Sequence, residues 1–79
     1  VPLHWATTQN NLGNTLQILG ERESGTGTLT KAVDAYREAL TVFDQERSPN
    51  YWQVTHRNLD KVLALIAERQ EQSGASSGK

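Results

Sequence analysis

Trp5-Ala-Thr-Thr-Gln-Asn-Asn-Leu12 and Trp52-Gln-Val-Thr-His-Arg-Asn-Leu59 are two versions of one phrase. Trp, Thr, Asn and Leu recur in register at 5/52, 8/55, 11/58 and 12/59, each pair 47 residues apart. The approach to each Trp matches too, Val1-Pro2-Leu3-His4 against Ser48-Pro49-Asn50-Tyr51. The chain has two Pro and two Trp, and both pairs keep this spacing. Self-similarity at a fixed period marks repeat architecture, in which each unit buries its apolar face on its neighbour. The reading points to a binding scaffold and leaves the partner unnamed.

Each phrase sits on a helix. The first helix is expected from about residue 3 to 22. Leu12, Leu16 and Leu19 follow helical spacing, with Trp5 on an earlier turn. Pro2 suits a first helical turn, where a missing N–H costs nothing. Glu23-Ser-Gly-Thr-Gly-Thr28 then stops the helix with two Gly and three hydroxyl residues. A second helix is expected from about 29 to 46, capped by Thr28 or Thr30. Its apolar stripe is Leu29, Val33, Tyr36, Leu40 and Phe43, and Ala32, Ala35 and Ala39 beside it allow close approach of another helix. Ser48-Pro49-Asn50 breaks this helix. A third is expected from about 51 to 72, with Val54, Leu59, Val62, Leu63 and Ile66 on its apolar face. Ser73 to Lys79 is small, polar and Gly/Ser-rich, and reads as a flexible tail.

The expected fold is therefore all-α, an A–B–A array of antiparallel neighbours joined by short loops. Residues 1–47 form one repeat unit, and 48–72 form a capping helix equivalent to the A helix of a second. The expected core is Leu12, Leu16, Leu19, Val33, Tyr36, Leu40, Phe43, Leu59, Val62, Leu63 and Ile66.

Bulk composition narrows the function classes. Seventy-nine residues make at most one small domain of marginal stability. Eight basic residues against nine acidic remove the electrostatic footprint of a general nucleic-acid binder. Without Cys there is neither a disulfide framework nor a thiolate metal site. The composition is compatible with a cytoplasmic setting. No apolar run approaches the roughly 20 residues of a membrane span, and no signal-peptide pattern opens the chain.

Leu12-Gly13, Leu16, Ala32, Tyr36, Ala39 and Pro49 occur in the order and local spacing of a tetratricopeptide repeat, and the chain resembles that family over about residues 1–72. The Asn-Asn-Leu-Gly-Asn, Leu-Gly-Glu-Arg and Ala-Tyr-Arg-Glu-Ala-Leu strings are similar to its long-repeat bacterial branch, of kinesin-light-chain type. The family's usual period is roughly 34 residues, against 47 here. Roughly seven extra residues fall in the A–B loop, and about six between Ala39 and Leu59. The resemblance implies a right-handed α-solenoid in which Gly13 and Ala32 lie where helices A and B approach most closely. Asp60 replaces Gly13 in the second copy, as expected of a terminal helix with nothing packed against it. The chain then reads as the C-terminal end of a longer array cut at a repeat boundary, or as a minimal unit.

No catalytic constellation is expected. His4 and His56 occupy nearly equivalent repeat positions and read as surface or junction residues. Gly25-Thr26-Gly27 lacks the strand and Lys of a phosphate loop. Glu21-Arg22-Glu23 and Glu68-Arg69-Gln70-Glu71 read as solvated helix ends. No cofactor or metal is implied. The resemblance places the peptide groove on the A helices. Asn10 and Asn14, four apart, have Arg57 and Lys61 as their repeat equivalents. Two amides and two cations in one groove are similar to the carboxylate clamp of the family's co-chaperone members, and cations with amide donors hold carboxylates through charge-assisted bonds. Asn11 and Asn58 are the alternative, bonding across helices.

The function expected is a protein–protein interaction scaffold binding a peptide or protein through the A-helix face, with no nucleic acid or membrane partner. The alternative is a capping and self-assembly module. Unpaired repeat ends leave Val54, Leu65 and Ile66, or the Trp5 side of the first helix, open to association as a homo-oligomer or domain-swapped dimer.

Overall fold

The computed structural model describes the backbone of residues 2–77 and the side chains of 3–72. Those residues form three helices: α1 (Pro2–Arg22), α2 (Gly27–Leu40) and α3 (Pro49–Ser77). The all-α class follows, and no strand occurs among the described residues. None of the helices is long and apolar enough to cross a membrane.

α1 and α3 both open on proline, whose fixed φ and absent N–H suit the first helical position. The loop after α1 is shorter than its sequence suggests. Glu23 N donates to Gly20 O at 3.2 Å, and α2 starts at Gly27 with Thr26 as its N-cap. Neither Thr28 nor Thr30 caps the helix. The Thr28 hydroxyl donates to Glu23 Oε1 (2.6 Å) and the Thr30 hydroxyl to Thr26 O (2.9 Å), so both are engaged with the loop behind them.

α2 ends at Leu40, six residues before Glu46, where the helix was expected to finish. Local side-chain bonds explain the early stop. The Thr41 hydroxyl donates to Glu38 O at 2.6 Å, while Thr41 N and Val42 N make tightened bonds to Glu38 O and Ala39 O. Asp44 Oδ1 then accepts from Glu46 N at 3.0 Å. Thr and Asp offer the backbone these alternatives to the helical ladder. At the other end, α3 runs on to Ser77, so residues 73–77 of the expected tail are helical backbone. That stretch contains no Pro, and its lone Gly costs a running helix only about 1 kcal/mol. Gly78 and Lys79, also assigned to the tail, lie outside the described residues.

α2 is the central helix. Gly13 faces Tyr36 and Gly20 faces Leu29, which makes α1 and α2 antiparallel. Asn10 meets Thr55, Asn14 meets Asn58, and Gly20 meets Arg69, so α1 and α3 run parallel. α3 alone, at about 1.5 Å per residue over 29 residues, spans about 44 Å. It accounts for most of the molecule's 50 Å long dimension.

Two apolar clusters hold the array. The larger joins Leu29, Ala32, Val33 and Tyr36 of α2 to Leu59 and Val62 of α3, with Leu16, Leu40, Leu65 and Ile66 packed around it. The smaller joins Ala6, Ala39 and Phe43, flanked by Val42 and Trp52. Phe43 also stacks on Tyr51, ring centroids 4.9 Å apart. Phe43 therefore stays buried although it lies beyond the end of α2.

Of the expected core, Val33, Tyr36, Phe43, Leu59 and Val62 are buried, and Leu16, Leu40 and Ile66 are half-buried against them. Leu12, Leu19 and Leu63 are exposed. Leu12 lies at the open edge of the α1–α2 seam, beside Leu16 and Ala35. The seats facing α2 go instead to Ala6, Gly13 and Gly20.

Candidate functional site

A polar ladder ties α1 to its neighbours. The buried Thr55 hydroxyl donates to Asn10 Oδ1 at 2.8 Å. One turn on, Asn58 Nδ2 donates to Asn14 Oδ1 at 3.2 Å. The Tyr36 hydroxyl reaches the same Asn14 oxygen at 2.7 Å, and Gln17 Oε1 at 2.8 Å. It carries one proton and donates to one of them at a time. Burial first, and the charge of Glu21 second, push the Tyr36 hydroxyl pKa up to about 12. At the far end of the ladder Arg69 reaches back from α3. Its Nη1 donates to Gly20 O and Gly25 O, both at 2.8 Å, and its Nη2 to Glu21 O at 3.1 Å. These carbonyls lie at and just past the C-terminal end of α1, where helical partners run out and the dipole favours a cation. Among the described residues no buried side-chain N or O lacks a partner.

The four residues expected to line a groove divide into two pairs. Asn10 and Asn14 are half-buried, with their oxygens committed to the ladder, which leaves the Nδ2 groups as available donors. Arg57 and Lys61 are exposed on α3. Of the alternative pair, Asn58 bonds across helices and Asn11 is exposed. His56 lies against Trp52, ring centroids 4.9 Å apart, with Asp60 Oδ2 at 3.3 Å from its Nδ1. His4 is exposed.

Arg69 is the residue that the sequence reading missed, having been taken for part of a solvated helix end. Its signal was the repeat itself, since Arg also stands at 22, in the same register.

Most of the exposed large apolar side chains among the described residues are on α1. Trp5, Leu12, Ile18 and Leu19 are 41%, 44%, 55% and 49% exposed. Beside them Leu12, Leu16 and Ala35 floor an open groove of about 310 Å³ between α1 and α2, rimmed by Lys31, Asp34 and Glu38. Of the α3 residues expected to stay open, Val54 is exposed, while Leu65 and Ile66 pack onto the core. No three His, Asp or Glu side chains among the described residues stand where they would hold a metal ion.

Comparison with protein-family models, with curated proteins and with solved structures gave no match.

Proposed function

We propose that this chain is a protein–protein interaction scaffold of tetratricopeptide-like build, an A–B–A piece of a right-handed solenoid that binds a helical segment of another protein through the outer face of α1. One observation carries the reading. Three large apolar side chains, Trp5, Leu12 and Leu19, recur every seven residues along α1, open to solvent, beside a groove with an apolar floor and a charged rim. Contiguous exposed apolar surface edged by polar residues is the usual mark of an association site. A helical partner supplies apolar anchors at the matching spacing. The polar ladder supports the same division of labour, because it rigidifies the array and leaves the outer face free.

A second reading rests on Arg57 and Lys61, which stand exposed one turn apart on α3. With the Nδ2 groups of Asn10 and Asn14 they offer donors to an acidic peptide end.

Calorimetric titration of the full chain with two peptides separates these readings. Uptake of an apolar amphipathic helix, lost in Leu12→Lys, supports the first. Uptake of an extended peptide with an acidic C-terminus, lost in Arg57→Ala, supports the second. Binding of neither, together with concentration-dependent mass in sedimentation, points instead to a self-assembling cap.

A further inference from the structure

The 47-residue register carries the docking surface of α3 onto α1. On α3, Trp52, Leu59, Leu65 and Ile66 pack against the α1–α2 hairpin. Their counterparts on α1 are Trp5, Leu12, Ile18 and Leu19, and all four are exposed. The polar contacts follow the same rule. Thr55, Asn58 and Arg69 bond across to the hairpin. Thr8, Asn11 and Arg22, their counterparts, are exposed, and the Thr8 hydroxyl bonds only the His4 carbonyl of its own helix. The opposite faces are exchanged in the same way. Ala6, Gly13 and Gly20 are buried against α2, whereas Gln53, Asp60 and Ala67 are exposed. A face that folds onto a hairpin at one end of the molecule is therefore presented empty at the other, and the groove floored by Leu12, Leu16 and Ala35 continues it.

We infer that the outer face of α1 is the docking site for a helix–loop–helix hairpin of the α1–α2 kind. This rests on the scaffold reading above and names its partner. The occupant's second helix presents an apolar stripe like Leu29, Val33 and Tyr36 to Leu12, Ile18 and Leu19. Its first helix presents carboxamide oxygens four residues apart, as Asn10 and Asn14 do, to Thr8 and Asn11. Its loop presents free carbonyls to Arg22, as Gly20 and Gly25 do to Arg69. The hairpin must have its third-helix position open. A second copy of this chain does not meet that condition, because its own α3 fills the position.

The test is a concatemer in which residues 1–47 precede the full chain, so that Arg47 joins Val1 as it joins Ser48 in the native order. Thermal unfolding and amide hydrogen exchange are compared with the 79-residue chain. The inference predicts one cooperative transition with Tm raised by roughly 10 °C or more, and new protection over the α1 of the full-chain unit. Leu12→Lys with Leu19→Lys in that unit removes the gain. The same pair in the 79-residue chain, where both side chains are exposed, shifts its Tm by less than roughly 3 °C. An unchanged Tm with the added residues unprotected overturns the inference. So does dimerisation of the 79-residue chain through Trp5 and Leu12, which would make a second copy the occupant. An unchanged Tm in a chain that still takes up a lone apolar helix overturns the hairpin assignment alone. Failure of both overturns the scaffold reading with it.

Discussion

Gly13 faces Tyr36 with no room for a methyl group between them. A Cβ on Gly13 would stand 2.6 Å from Tyr36 Cε1 and 2.7 Å from Cδ1. The ring is rigid, fully buried and held at its hydroxyl by Asn14 or Gln17, so it cannot swing aside. Ala for Gly within a helix ordinarily stabilises by about 1 kcal/mol. Overpacking costs typically 1–3 kcal/mol, occasionally more, and here both the ring and the backbone behind it must shift. Gly13→Ala is expected to lower Tm by roughly 5–15 °C. Gly20→Ala has the same sign, because Leu29 Cδ2 at 2.6 Å can move but Leu29 N at 3.2 Å cannot. Gly25→Ala is the control, since nothing lies within 4 Å of its would-be Cβ. Thermal melts of the three variants check the set.

Arg69 closes the end of α1 by donating to three carbonyls from two elements. Hydrogen bonds from a charged donor contribute about 1.5–3 kcal/mol together with the acceptors they satisfy. Arg69→Ala is expected to cost that order of stability and to speed amide exchange over residues 23–26. Arg69→Lys restores the charge but not the fork, and recovers only part of the loss. Equal exchange in all three proteins would show that the contact does not order the loop.

The buried hydroxyl of Tyr36 makes alkaline stability a readout of the core. Its pKa is raised from 10.0 to about 12, by burial first and by the charge of Glu21 second. The folded chain thus keeps the proton that the unfolded chain gives up near pH 10. This stabilisation is complete below about pH 10 and is lost as pH rises from about 10 to about 12. Denaturant midpoints across that window are expected to fall steeply for the native chain and less steeply for Tyr36→Phe. Parallel slopes would place the phenolate outside the linkage.

Thr55 is buried and spends its hydroxyl on Asn10. Thr55→Val keeps the shape and removes the bond. Asn10 is only half-buried, so its oxygen recovers a water partner, and the expected loss is about 1 kcal/mol. A double-mutant cycle with Asn10→Ala is expected to give a coupling energy of about 0.5–1 kcal/mol. Additive losses would mean that the two side chains do not bond in solution.

Much of the fold was legible because helical spacing is a strong signal. Three helices, their order and the burial of Val33, Tyr36, Leu59 and Val62 follow from positions three and four apart, whereas the close approach at Gly13 came from the resemblance to a tetratricopeptide repeat. The end of α2 was not legible in this way. Apolar periodicity runs through Phe43, and only the bonds of Thr41 and Asp44 to nearby backbone interrupt it. Nor does periodicity say which side of a helix has a neighbour. Leu12 and Leu19 lie on the apolar stripe of α1, yet α2 approaches the side marked by Ala6, Gly13 and Gly20, because close helix packing selects small residues over large ones. The spacing of Asn10 and Asn14 put them on one face, as found. It could not tell that Thr55 and Asn58 would take their oxygens, since that depends on how α3 lies beside α1. Arg69 looked like one charge in a run of charges until the carbonyls that it reaches were in view.

Trp5 itself reports whether the row that it leads is a docking surface for a helix. In a Trp52→Phe chain Trp5 is the sole tryptophan, and its emission is titrated with a synthetic peptide of residues 27–43, α2 extended through Phe43. Docking on this row gives a saturable blue shift and shielding from iodide, both absent in Leu12→Lys. Emission that keeps its solvent-exposed wavelength and its iodide quenching throughout the titration would contradict it.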